Sequence, residues 1–290
     1  MSVQPRAVNL AEDEPFALPA WFFPVEHAEA TIVAMAALGV SARFYRPLAE
    51  ALTAAGMNVL LLEQRGHGDS PVRPGFRSNW GFREPLLGEV RRGVAWARER
   101  DGALPVYLLG HSLGGHYANM TVGLEPHSVD GVILVACATP WVEAFSGATR
   151  AKIKLLHVLI PTVSRVLGHY PGDRIGFGGR EARGLMLDWL AFSKTNRYGA
   201  AGIDHDFDAG IAKYRGPVLV VRMAEDDFAP AEAVEAVTRK FAAARVTSRV
   251  LDERALGTKA DHFRWARKPS AIVGEIARWH ETNRAARVIA

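Results

Sequence analysis

Leu109-Gly110-His111-Ser112-Leu113-Gly114-Gly115 follows a short apolar run, Val106-Tyr107-Leu108-Leu109, and precedes a helix-like run, His116-Tyr117-Ala118-Asn119-Met120. A G-x-S-x-G sequence between a strand and a helix is the pattern of a turn that lifts a serine hydroxyl above the top of a sheet. Such a turn strains the serine backbone, and glycines two residues to either side, here Gly110 and Gly114, relieve the crowding. The bare pattern arises by chance in roughly one chain in ten of this size, since Gly and Ser are each near 7% of residues. The flanking strand, the flanking helix and the extra Gly115 therefore carry the reading. They make Ser112 a candidate nucleophile.

Outward from this turn, short apolar runs alternate with longer helical patterns. Ala30 to Ala36, Asn58 to Leu62, Pro105 to Leu109 and Val129 to Ala136 read as buried strands, and Phe16 to Val25 as an earlier, proline-interrupted one. Phe44, Leu48, Ala51, Leu52 and Ala55 recur at helical spacing before Gly56, a suitable stop. Glu84 to Arg100 reads as a second helix. Pro217 to Met223 and Thr247 to Leu251 resume the strands, with helices at Pro230 to Ala243 and Pro269 to Asn283. Strand and helix in alternation indicate an α/β fold, a mostly parallel sheet covered by helices on both faces. Loops at the C-terminal edge of that sheet build the site. From about Pro140 to Lys213 the alternation breaks into helix-like pieces and Gly/Pro-rich loops, too long for a plain connection. The expected organisation is a core of residues 1–139 and 214–290, with a helical cap inserted at 140–213.

Composition bounds the function. The 290 residues are 49% apolar and 23% charged, enough for a sizeable core. The net charge of +4 comes from scattered basic residues. Arg91, Arg92, Arg98 and Arg100 share a helix-like run with Glu89 and Glu99, which reads as a solvated face rather than a nucleic-acid surface. The single cysteine, Cys137, allows no internal disulfide and follows an apolar run, so a buried structural thiol is expected. Met1 to Arg6 opens no signal-like apolar region, and the longest apolar run, Thr31 to Val40, is too short to span a bilayer. A cytoplasmic, soluble protein without stable membrane insertion is the expectation.

A serine hydroxyl needs a base, and the base needs an orienting acid. After the strand at Val218 to Val221 comes Glu225-Asp226-Asp227, three carboxylates at the sheet edge, of which either aspartate suits the role. Past the next strand comes Asp261-His262-Phe263, which offers His262 as the base. His157, His169 and His205 precede the last strand, and His280 lies inside the final helix. The order Ser, Asp, His is the one expected of this sheet class. A developing oxyanion needs two backbone N–H donors. Leu113, after the nucleophile, supplies one, and the loop following Ala36, near Leu38, the other. Leu155, Leu156, Val158, Leu159 and Ile160 form an apolar cap segment, and Trp141 and Trp189 are candidates for lining a substrate pocket.

The segments Phe44-Tyr45-Arg46-Pro47-Leu48-Ala49, Arg65-Gly66-His67-Gly68-Asp69-Ser70, Gly110 to Gly115, Glu225-Asp226-Asp227 and Asp261-His262-Phe263 together resemble the α/β-hydrolases. They are similar to the serine aminopeptidase S33 and monoacylglycerol-lipase-like branch. The resemblance implies hydrolysis of an ester, amide or thioester of a small-molecule acyl substrate through an acyl-enzyme, with no cofactor and no metal. Carboxylesterase or lipase-like activity ranks first. Other reactions of the same triad, C–C bond hydrolysis included, come next, and a non-catalytic binding protein last. In that family the acid is typically the fourth residue of a G-x-x-D loop, and Ala224-Glu225-Asp226-Asp227 fits with Asp227 in the fourth place. Many members carry His-Gly where this chain has Ala36-Ala37, and alanine resists the positive φ that glycine accepts.

Overall fold

A computed structural model describes residues 4–11 and 16–289. Met1, Ser2 and Val3, part of the stretch searched for a leader, lie outside the described residues. The sheet opens with the short strand β1 (Arg6–Asn9), and the chain's apolar runs become the strands β2 (Pro19–Phe23), β3 (Ala30–Met35), β4 (Met57–Leu62), β5 (Val106–His111) and β6 (Gly131–Val135). Two short strands, β7 (His169–Pro171) and β8 (Arg180–Ala182), form a separate hairpin, and β9 (Pro217–Met223) and β10 (Arg245–Leu251) complete the main sheet. Its order is β1-β2-β4-β3-β5-β6-β9-β10. Only β2 pairs antiparallel with its neighbours, so it alone opposes the common direction. β3, β4, β5 and β6 are buried along their whole length. That is why they read as continuous apolar runs rather than alternating ones. β1 was not foreseen, being four exposed or half-buried residues at the sheet edge.

The connection from β3 to β4 runs toward one edge, and those from β4 through β10 run toward the other. With right-handed crossovers this reversal puts helices on opposite faces. The helix Arg46–Ala54 shares one face with the final helix, Ser270–Ile289. Helix Leu113–Leu124 follows β5 and is buried over almost its full length. The expected helix over residues 84–100 is continuous but not uniform: a π segment at Leu86–Val90 leads directly into a regular helix at Arg91–Arg100. Glu89 in that segment is not solvated. It is buried and paired bidentately with Arg65 at 2.8 and 3.0 Å. Cys137 is a free, buried thiol.

The segment between β6 and β9 carries a long helix, Gly147–Leu167, the β7–β8 hairpin, and helices Arg183–Thr195 and Phe207–Lys213. The last of these is a core element rather than a cap. Gly210 lies so close to Gly123 that a Cβ there would stand 1.8 Å from the Gly123 carbonyl oxygen. Among the described residues no helix is long and apolar enough to cross a membrane.

Candidate active site

Ser112 sits immediately after β5 at φ 52° and ψ −113°, a strained conformation for a residue with a side chain. Its amide donates to the Val135 carbonyl at 3.1 Å, which ties the turn to β6. The surrounding glycines are required by contact. A Cβ on Gly110 would lie 2.2 Å from Gly114 C, one on Gly114 would lie 2.4 Å from Met35 O, and one on Gly115 would lie 2.6 Å from Cys137 Sγ. The turn is thus wedged against the end of β3. Leu113 opens the following helix, where backbone N–H groups have no intrahelical acceptor.

The loop after β3 meets this turn from the side. Val40 N–H bonds Ala37 C=O at 3.1 Å, closing a four-residue turn whose third residue, Gly39, has φ 77°. That is the position at which a type II turn demands glycine. Ala36 and Ala37 keep negative φ, so replacing His-Gly by Ala-Ala costs the loop nothing in backbone strain. The Ala37 amide is taken by Tyr45 Oη at 3.0 Å, whereas among the described residues the Leu38 amide makes no hydrogen bond. The buried Glu63 carboxylate anchors the far end of the loop. It accepts from Ala42 N at 2.9 Å and from Asp69 N at 3.2 Å.

His262 is buried, and its Nδ1 lies 2.7 Å from Asp226 Oδ2. The other Asp226 oxygen accepts from Phe228 N at 2.9 Å and Ala229 N at 3.1 Å. The residue on His262 is therefore Asp226, not Asp227 as the four-residue loop register implied. The reason is long-range. Ala224 N bonds Leu251 O and Glu225 N bonds Ala260 O, clamping this loop to the one after β10. The turn inward then falls on the next residue, Asp226, and Asp227 is left exposed on the pocket rim. An aspartate on Nδ1 fixes the imidazole tautomer and leaves Nε2 as the acceptor. Phe228, Phe263 and His111 pack around the ring, with centroids 5.4, 4.8 and 4.8 Å away.

Ser112, His262, Leu113 and Leu38 all line one cavity of about 500 Å³. Its remaining wall is mostly apolar and comes largely from the inserted segment: Phe145, Ile153, Leu156, Phe177 and Trp189. Leu155 and Leu159 also line it, while Val158 is 63% exposed and Ile160 is buried in the core. Trp189 thus reaches the cavity as expected. Trp141 does not. Its amide is held by Thr139 Oγ1 at the start of a 3-10 turn, and Phe145, after that turn, lines the cavity instead. Phe145, Phe177, Phe228 and Phe263 were missed. Phe263 alone had a signal, its place beside His262. On the floor, His116 bonds Tyr198 Oη at 2.8 Å, and burial pushes its pKa down to about 3, so the ring is neutral.

The inserted segment is pinned over the β3 loop. Glu181 in β8 is buried, meets His67 Nε2 at 3.2 Å and accepts from Gly179 N at 2.8 Å. Gly179 in turn abuts Gly39 so tightly that a Cβ on Gly39 would lie 2.3 Å from its nitrogen. Among the described residues the Ser112 hydroxyl makes no hydrogen bond.

A family model described as serine aminopeptidase, S33 matches residues 26–181. Among solved structures, an alpha/beta hydrolase of a Penicillium species superposes with a TM-score of 0.65 at 15% identity, covering 97% of this chain and 99% of that one. An esterase of Pyrococcus furiosus superposes with a TM-score of 0.60 at 15% identity, over 97% and 93% of the two chains. A monoacylglycerol lipase of Paleococcus ferrophilus gives 0.61 at 18% identity, over 90% and 99%. At these identities the likeness is one of fold.

Proposed function

We propose, since this chain belongs to the serine aminopeptidase S33 family of α/β-hydrolases, that it cleaves carboxylic esters through an acyl-enzyme on Ser112. The observation that carries this reading is the buried Asp226–His262 pair at the rim of an apolar cavity that also holds the strained serine turn. In the proposed reaction His262 Nε2 takes the Ser112 proton as Oγ bonds to the substrate carbonyl carbon. The carbonyl electron pair moves onto oxygen, where the N–H groups of Leu113 and Leu38 receive it. One such donor is worth about 3–4 kcal/mol of transition-state stabilisation. Asp226 holds the imidazolium in place. The intermediate collapses, the carbon–oxygen bond to the leaving alcohol breaks, and His262 returns the proton to that oxygen. Water then repeats the sequence on the acyl-enzyme and frees the acid.

An ester is favoured over a charged peptide because the walls contributed by Phe145, Ile153, Leu156 and Trp189 suit an acyl chain. The helical insertion, residues 140–213 less its last helix, serves in this reading as the cap that shapes the acyl site. Ser112→Ala is expected to abolish turnover of a short activated ester and to prevent labelling by a fluorophosphonate. Undiminished turnover in that variant would reject the reading.

A further inference from the structure

Ala36 and Ala37 offer only methyl groups, so the loop that presents Leu38 has no polar side chain of its own to hold it. The anchor comes from Tyr45, at the end of the 3-10 turn Ala42–Tyr45 that follows the loop. Tyr45 is fully buried, and its Oη accepts the Ala37 N–H at 3.0 Å. The same hydroxyl is hydrogen-bonded to His111 Nδ1, 2.6 Å away. His111 precedes Ser112, is 0% exposed, and packs tilted against His262 and edge-to-face against Trp265, with centroids 4.8 and 5.1 Å away. We propose that Tyr45 is a positioning residue that sets the oxyanion loop, tying Ala37 to His111 and thereby to the nucleophile turn and His262. This role rests on the serine-hydrolase reading above.

The chemistry of the link is consistent throughout. Burial, and then the neighbouring charge of His262, hold His111 well below the ordinary imidazole range. It therefore stays neutral, and a neutral imidazole can pair with the tyrosine hydroxyl through Nδ1. A neutral ring is also required where His262 becomes an imidazolium during the reaction, since two cations at this separation would repel. The Ala37 amide is spent on Tyr45, and the amide next in the chain, that of Leu38, is left without a hydrogen bond among the described residues. Holding one peptide plane of the turn orients the next.

Tyr45→Phe keeps the ring and removes the link. With active sites counted by fluorophosphonate, kcat for a short ester is expected to fall roughly ten- to a hundredfold with KM nearly unchanged. Affinity for phenylboronic acid, which becomes tetrahedral on Ser112, is expected to fall by a similar factor. A purely structural tyrosine would not lower kcat and boronate affinity together while sparing KM. An active wild type with an equally active Tyr45→Phe variant would overturn this role alone. A wild type inert to both ester and fluorophosphonate would overturn the hydrolase reading and this role with it. Should the variant not fold, nitrogen chemical shifts of His111 in the wild type decide the link. A neutral ring whose Nδ1 is hydrogen-bonded across neutral pH supports it, and an Nδ1 free of hydrogen bonding overturns it.

Discussion

Asp226 is bonded on both carboxylate oxygens, to His262 on one side and to two backbone amides on the other, while its neighbour Asp227 stands exposed on the cavity rim. The two side chains are chemically identical, so substitution separates their roles cleanly. Asp226→Asn removes the charge that would stabilise the His262 imidazolium and permits the wrong tautomer. Loss of the equivalent aspartate charge costs on the order of 10⁴-fold in kcat in a known triad, and a comparable loss is expected here. Asp227→Asn is expected to cost far less. Ester kinetics on the two variants check this, and a larger loss at Asp227 would return the acid to the four-residue loop register.

At the scale of the element, small residues do the work of bringing backbones together. The helix after Ser112 packs onto the end of β3 only because Gly114 has no Cβ, and onto helix Phe207–Lys213 only because Gly123 and Gly210 have none. A methyl at either contact must push backbone against backbone, which overpacked sites resist at about 1–3 kcal/mol. Gly114→Ala and Gly210→Ala are therefore expected to lose stability of that order, read as a lower urea midpoint. Gly199→Ala, where nothing lies within 4 Å, is expected to stay within about 0.5 kcal/mol of wild type. Equal midpoints for all three proteins would show that these contacts relax freely. The buried strands β3 to β6 and β9 were legible from their apolar runs, whereas β1 and the β7–β8 hairpin, short and without such runs, were not. The π-turn at Leu86–Val90 was not, because it serves the buried Arg65–Glu89 pair, a partner 24 residues away.

For the whole molecule, two fully buried histidines tie stability to pH. His111 is enclosed by Tyr45, His262, Phe263 and Trp265, and His116 by Tyr198, Phe192 and Cys137, with Lys240 near enough to disfavour its charge. Burial depresses both below the ordinary value of 6.5. As pH falls below that value, the unfolded chain takes up protons the folded protein cannot, so the folded state loses stability. Each histidine approaches ~1.4 kcal/mol of loss per pH unit once well below it. Urea midpoints at about pH 7.5 and pH 5.5 are expected to differ accordingly. A flat profile would mean that one or both rings accept a proton in place.

The sequence by itself determined the sheet, the serine turn and the order of Ser112, an aspartate and His262. These are written locally: in buried apolar runs, in glycines that a sharp turn requires, and in the loops that follow successive strands. Four decisions belonged to the tertiary structure. They are the choice of Asp226 over Asp227, the tie of Tyr45 to His111, the phenylalanines that wall the cavity, and the assignment of the last inserted helix to the core. Each depends on a contact between segments far apart in the chain, such as Glu225 with Ala260 or Gly123 with Gly210. A one-residue shift in a clamped loop reverses which side chain faces inward, and no local pattern encodes where the clamp will close.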